Sequence, residues 1–322
     1  VTLTHRGRAR GCLLGLAAGD ALGRPAENLS PEQIAARWGR LTEIDGGGTD
    51  DTEYTIFAAS LLARHGHALT PQDVALAYRQ EIIPLVDGPM KGAGFSELGA
   101  IQALRRGLEP PLTGQWHRHG WSDGLAMRAA PYGIFAAGDP GEAARLVEID
   151  GSVSNAGEGI LGGRAVAGAV AAAMTGASPQ EVVAAGLAVI PEDSWTARNV
   201  NRAREVVLDP AGSGGVAARL HEAVVVRHYP WTDLAPEAVA LAFAAYLLGG
   251  GEVEESVVVA ANLGRDADTT AAIAGALAGA GRGEAAVPER WARQIGPVEG
   301  RCLPVTAGRH VLDVADQLVE GT

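Results

Sequence analysis

Cysteine is almost missing from this 322-residue chain, which has only Cys12 and Cys302. Two thiols cannot build a disulfide framework or a cysteine metal site, and so low a count fits a reducing compartment. Aromatic residues make up only 5%, so the core cannot rest on large rings. Lysine occurs once, as Lys91, among 26 basic residues. Positive charge is scarce altogether: 26 basic against 38 acidic residues leave a formal charge of −12. That sign argues against a nucleic-acid binder, whose contact face is normally basic. It argues equally against a protein held on anionic lipid. The longest apolar run, Ile160 to Met174, contains Arg164 and is too short and interrupted to span a bilayer. Near the start, Arg6, Arg8 and Arg10 precede an apolar stretch in the manner of a signal peptide. That stretch meets Asp20 and then Arg24, which argues against export. These absences predict a soluble, cytoplasmic protein with no nucleic-acid or membrane partner.

Apolar residues are present in ordinary amount, 47%, enough for a real core and too many for wholesale disorder. Glycine is in excess, 44 of 322 residues, about twice the usual fraction. Helical spacing of apolar residues dominates, and alternating β-branched stretches are almost absent. The spacing predicts helices near 9–23, 52–65, 71–83, 96–106, 123–137, 140–149 and 157–175. It predicts others near 178–189, 194–207, 235–248, 252–262, 267–280, 288–294 and 307–319. Ser30-Pro31, Thr70-Pro71 and Ser178-Pro179 each put a capping residue before a proline at the first helical position. No linker is long or polar enough to divide the chain, so one all-α domain covering 1–322 is expected. Pairs such as Gly15 with Gly19 and Gly275 with Gly279 put small residues on one helical stripe, which lets helix axes approach closely.

Packing does not explain two acidic clusters. Thr49-Asp50-Asp51-Thr52 follows three glycines and opens a helix. One cap needs one such residue; four adjacent oxygen side chains splaying from a tight turn suit a hard cation. Asp266-Ala267-Asp268-Thr269 repeats the arrangement at a second helix start. Carboxylates gathered from both clusters would repel unless cations neutralised them, which points to a binuclear magnesium-type site. Other chemistries find little support. His65-Gly66-His67 and His117-Arg118-His119 lack acidic or cysteine partners at zinc-ligand spacing. No Gly-x-Ser-x-Gly or His-Glu-x-x-His motif occurs.

With these clusters in view, the chain resembles the ADP-ribosylglycohydrolase family from Gly11 to about Trp291. The block Gly15-Leu16-Ala17-Ala18-Gly19-Asp20-Ala21-Leu22-Gly23, with Glu27 four residues on, is similar to the family's opening helix and acidic loop. Thr49-Asp50-Asp51-Thr52 and Asn262-Leu263-Gly264-Arg265-Asp266-Ala267-Asp268-Thr269 resemble its two metal motifs. Asp123-Gly124-Leu125-Ala126-Met127-Arg128 resembles its Asn-Gly-x-x-Met-Arg segment, and Pro288-Glu289-Arg290-Trp291 its Pro-x-x-Trp close. These motifs stand in the family's order.

The resemblance implies an orthogonal all-α bundle of the ADP-ribosylglycohydrolase type. It implies two magnesium ions, with manganese as the alternative, held by Thr49, Asp50 and Asp51 on one side and Asp266, Asp268 and Thr269 on the other. Glu27, Asp51 and Asp268 are then the expected catalytic carboxylates. Gly92, Gly94 and Ser96 in the Gly-rich loop, with Asp123, Gly124, Met127, Asn155 and Arg265, are the expected substrate contacts, and Lys91 a candidate phosphate partner. Asn155 replaces a usual histidine, Asp123 a usual asparagine, and Arg265 a common glycine. All three departures fall on the substrate side, so the leaving group stays open. It could be an ADP-ribosylated protein or a ribosylated small metabolite, handled by a monomer or small homo-oligomer. A non-catalytic relative would be expected to lack acidic ligands, and none is missing.

Overall fold

Helix dominates the computed structural model, which describes residues 3–86, 94–209 and 215–320. Among those residues there are eighteen α-helices and no strand; a single isolated bridge joins Ser122 to Leu234. The predicted spacing is realised as Asp50–His65, Phe95–Arg105, Glu158–Ala173, Ala235–Leu248 and Ala267–Arg282. Ser30, Thr70 and Ser178 each cap their helix, and their own backbone N–H donates back to the side-chain oxygens of Gln33, Asp73 and Glu181, satisfying amides that the first turn leaves unpaired.

Differences from the expected pattern have local causes. The stretch near 123–137 is two short helices, Gly124–Met127 and Ala130–Phe135. Pro131 cannot continue a helix through Met127, because its ring would meet the carbonyl four residues back. It sits instead in the first turn of the second helix. Pro31–Trp38 and Val216–Val224 are helices that the apolar spacing did not predict; they bury one and two residues respectively, too few to leave a periodic stripe.

The centre of the molecule is a pair of helices, His5–Gly23 and Ala267–Arg282, buried almost throughout. The glycine stripes explain how close they lie. A Cβ on Gly15 would stand 2.3 Å from the Gly275 carbonyl oxygen, and one on Gly19 would stand 2.1 Å from that of Ala271. One on Gly279 would stand 2.0 Å from the Gly11 oxygen. Backbone packs on backbone, and any side chain would push the axes apart. The contacts run Gly11 to Gly279 and Gly23 to Ala267, so the pair is antiparallel. The end of one helix therefore lies at the start of the other, which brings the loop after Gly23 beside Asp266 and Asp268. At the opposite end, Arg8 donates to the carbonyls of Ala280 and Gly281, which have lost their helical donors.

One hydrophobic core runs through the described residues, built largely of Ala, Val and Leu. Its largest side chain is Trp291, fully buried, with its indole N–H donated to the Thr42 carbonyl at 3.0 Å. No helix of the described residues is long and apolar enough to cross a membrane.

Candidate active site

Asp20 sets up the first acidic cluster. It is fully buried, and its carboxylate accepts the Thr49 and Thr52 amides at 2.9 and 3.2 Å together with the Thr52 hydroxyl. These bonds hold the turn after Gly46-Gly47-Gly48 and fix the start of the Asp50–His65 helix. Thr49 caps that helix through Asp51 N–H. Asp51 points inward, 2% exposed, and Asp50 is half-buried with one oxygen receiving Gly94 N–H at 3.0 Å.

The second cluster faces it. Thr269 donates its hydroxyl to Asp51 at 3.3 Å, which ties the two helix starts directly. Asp268 is buried alongside, and Asp266 begins the helix. The loops carrying Glu27 and Arg265 are stitched together: Asn28 N–H donates to the Arg265 carbonyl and Arg265 N–H to that of Leu29. Both Asn28 and Arg265 have positive φ, 62° and 63°, unusual for residues other than glycine.

Between the clusters lies a cavity of about 500 Å³. Its wall includes Glu27, Thr49, Asp50, Asp51, Gly94, Asp123, Gly124, Met127, Asp266, Asp268 and Thr269. It also includes Asp233, Phe95, Arg24, Arg301 and Cys302, which the sequence pattern did not single out. Asp233 arrives because residues 122 and 234 bridge and Asp123 N–H donates to the Asp233 carbonyl at 2.8 Å. Beside it Phe95 stacks on His119 with ring centres 4.7 Å apart, and Trp231 stands edge-on to both. A long-range pairing left no motif by which to find these residues.

Several expected contacts stand elsewhere. Arg265 is off the cavity wall; its guanidinium pairs with the fully buried Glu237, because the positive φ turns its side chain behind the loop. Asn155 is also off the wall, donating to the carbonyls of Gly120 and Ser122, so it holds the backbone that carries Asp123. Ser96 is buried beneath, bonded to Glu97 and Ser122. Gly92 and Lys91 lie outside the described residues.

The carboxyls of the wall are all shifted in one direction, upward. Burial pushes the Asp50 carboxyl up to about 8, with Glu97 and Asp20 adding to the shift. Burial first, then neighbouring acids, holds Asp51, Asp123, Asp266 and Asp268 well above the ordinary aspartate value. Asp233 is raised by burial and partly relieved by His119. Glu27 has one flank in solvent, yet the protein around it raises its carboxyl, with Asn28 opposing and Asp20 reinforcing. Asp51 Oδ2, Asp123 Oδ2, Asp268 Oδ1 and both Asp233 oxygens are buried without a hydrogen-bond partner. Orphaned carboxylate oxygens are costly to bury.

Among the described residues no three acidic, histidine or cysteine side chains close as a group on one point. The acids stand around the cavity instead. Their chemistry nevertheless fits a hard cation: carboxylates and hydroxyls, with Cys302 as the single sulfur. Four aspartates on the wall of one cavity each keep at least one buried oxygen without a hydrogen-bond partner.

The chain matches the ADP-ribosylglycohydrolase family over residues 2–322 and belongs to it, which makes it a member of a hydrolase family. It is 31% identical over 296 residues to an uncharacterized protein of Archaeoglobus fulgidus, covering 88% of this chain and 89% of that one. It is 25% identical to the ADP-ribosyl-[dinitrogen reductase] glycohydrolase of Rhodospirillum rubrum, covering 89% and 90%. It is also 25% identical to the ADP-ribosylarginine hydrolase Tri1 of Pseudomonas putida, covering 89% and 74%. A solved structure described as an ADP-ribosylglycohydrolase-related protein complex superimposes with a TM-score of 0.68 at 25% identity, covering 98% of each chain. The all-α architecture is that of the family.

Proposed function

We propose that this chain is a divalent-cation-dependent hydrolase that cleaves the glycosidic bond joining an ADP-ribosyl group to its carrier. The observation that carries the reading is the set of buried, unpaired carboxylate oxygens that two helix starts, through Asp51 and Asp268, and the 122–234 pairing, through Asp123 and Asp233, bring to one cavity. Two relatives are named for removing ADP-ribose from a protein or from arginine, which favours a protein-linked substrate. Thr49, Asp50 and Asp51 would hold one magnesium or manganese ion, and Asp266, Asp268 and Thr269 the other. When bound, such cations polarise ribose hydroxyls and make water more acidic.

The chain's own groups supply the rest. Cleavage leaves oxocarbenium character at the anomeric carbon, and the carboxylates on the wall stabilise it. Glu27 has one oxygen, Oε1, engaged by Asn28 at 3.0 Å, so Oε2 is the atom through which it exchanges a proton. Its raised pKa brings it toward the range in which a carboxyl both gives and takes protons. The rings of Phe95 and Trp231, both partly exposed at the rim, offer flat apolar faces for a base.

The test is magnesium binding by calorimetry, with hydrolysis measured on ADP-ribosyl-arginine peptide, ADP-ribosyl-serine peptide and small ribosides. Wild type, Asp50→Ala and Asp268→Ala are compared. Turnover is expected to fall by about 10² or more in both variants, together with magnesium affinity. Equal magnesium binding in all three proteins would sink the assignment. Turnover of the ribosides alone would redirect it to a small-molecule carrier.

A further inference from the structure

An ADP-ribosyl group brings two phosphates into a cavity whose wall carries seven carboxylates and two guanidiniums, Arg24 and Arg301. Phosphates call for positive charge or N–H donors, and a guanidinium supplies both. Arg24 is already committed. It donates to the Asp45 carbonyl at 2.6 Å and packs where a Cβ on Gly46 would stand, so it holds the glycine loop. Arg301 is placed differently. It lines both this cavity and a second one of about 420 Å³, the two sharing Gly48, Thr49 and Arg301. Its Nε pairs with Glu299 at 2.6 Å, and its terminal nitrogens make no hydrogen bond among the described residues.

The backbone beneath Arg301 is fixed from an unexpected place. Glu53, buried one turn beyond Asp50, accepts the amides of Arg301, Cys302 and Leu303 at 2.9, 2.8 and 2.6 Å. A carboxylate taking three backbone N–H groups is a strong clamp. The helix that presents Asp50 and Asp51 thus also sets the position of a strap nearly 250 residues away in sequence. A backbone held by three hydrogen bonds under an exposed guanidinium is an arrangement for reading an anion rather than for building a core.

We infer that Arg301, presented by the 299–303 strap and positioned by Glu53, is a specificity-determining residue that receives the diphosphate of the substrate. The inference rests on the ADP-ribosyl reading above. Glu299 competes with the phosphate for the same guanidinium, so the two side chains should act with opposite sign.

The experiment is calorimetric titration of ADP-ribose, with adenosine as the uncharged probe, into wild type, Arg301→Gln and Glu299→Gln in magnesium buffer at two salt concentrations. Both side chains are mostly exposed, so both variants should keep the wild-type melting temperature. Arg301→Gln is expected to weaken ADP-ribose binding about tenfold and to flatten its salt dependence, as loss of one charge-assisted contact predicts. Adenosine binding should not change. Glu299→Gln is expected to tighten ADP-ribose about two- to threefold. On an ADP-ribosyl peptide, most of the Arg301→Gln loss should appear in KM. Equal ADP-ribose affinity in wild type and Arg301→Gln would overturn the role of Arg301 and leave the hydrolase reading standing. So would equal losses for ADP-ribose and adenosine, which mark a structural effect. Wild type that binds no ADP-ribose would overturn the reading and the inference together.

Discussion

Two buried polar regions lie back to back in this molecule, and they solve the burial of charge in opposite ways. Every N–H of the Arg128 guanidinium has an acceptor. Its guanidinium is 1% exposed and makes five hydrogen bonds: two to Asp150, one each to Glu97, the Gly124 carbonyl and the Ser154 hydroxyl. Across the floor formed by Gly124, the cavity wall presents Asp51, Asp123, Asp233 and Asp268 with oxygens that nothing satisfies. The first region is finished and is scaffold. The second keeps carboxylate oxygens unpaired, as the cation-dependent reading proposed above requires. Burial of ionisable groups alone therefore does not mark a site; several buried carboxylates with unpaired oxygens gathered on one cavity do.

The largest expected effect lies on the scaffold side. Arg128→Met would leave Glu97 and Asp150 buried with no counter-charge, and breaking a buried pair in this way costs about 3–5 kcal/mol. The drop should appear as a lower denaturant midpoint with an unchanged slope. A variant as stable as wild type would break the comparison, since it would mean that those two carboxyls need no partner. Met127 lines the cavity while Arg128 does not, so two neighbours in one motif do different work.

The cavity side predicts the reverse sign. Asp268 is buried with Oδ1 unpaired, and its carboxyl is raised by burial, by Asp266 and by Glu27. Asp268→Asn removes a repelled charge at nearly constant shape. With a chelator present the variant should be as stable as wild type or more so, by about 1 kcal/mol. The stabilisation that magnesium gives wild type should be lost in it. Thermal unfolding with EDTA and with magnesium checks both. A clear destabilisation in EDTA would show that Asp268 is held by interactions internal to the protein, as Asp150 is.

What the sequence disclosed follows the same division. Both acidic clusters were legible because their oxygens are adjacent in the chain and sit at helix starts, where their directions are constrained. The glycine stripes were legible as packing because 3.6-residue spacing puts them on one face. Asp233 was not legible: it stands alone after Trp231-Thr232 and reaches the cavity only through the pairing of 122 with 234. The clamp from Glu53 to 301–303 has no local signal either, as its partners are backbone amides. Arg265 and Asn155 were misplaced for a related reason. Arg265 adjoins Asp266 in sequence and Asn155 stands where a family histidine is usual, but a positive φ at Arg265 and the bonds from Asn155 to Gly120 and Ser122 point their side chains away. Neighbourhood in a motif fixes where a backbone goes, and side-chain direction is decided by packing.

The smallest expected effect comes from the same arginine–carboxylate chemistry placed at the surface. Glu142 accepts two hydrogen bonds from Arg145 and one from His67, each at 2.7 Å. Arg145, then His67, pull its carboxyl down to about 2 from an ordinary 4.5. A depressed carboxyl stabilises the fold above its unfolded value, near 4.5, and that contribution is lost as pH falls through about 2. Solvent screens the triad, so Glu142→Gln should cost no more than about 1 kcal/mol at pH 7, and the difference should close as pH approaches 2. Unfolding midpoints at pH 7, 4 and 2.5 measure it. A loss at pH 7 as large as that of Arg128→Met would mean that burial adds nothing to the worth of these contacts. The contrast between finished and unfinished charge would then rest on hydrogen-bond count alone.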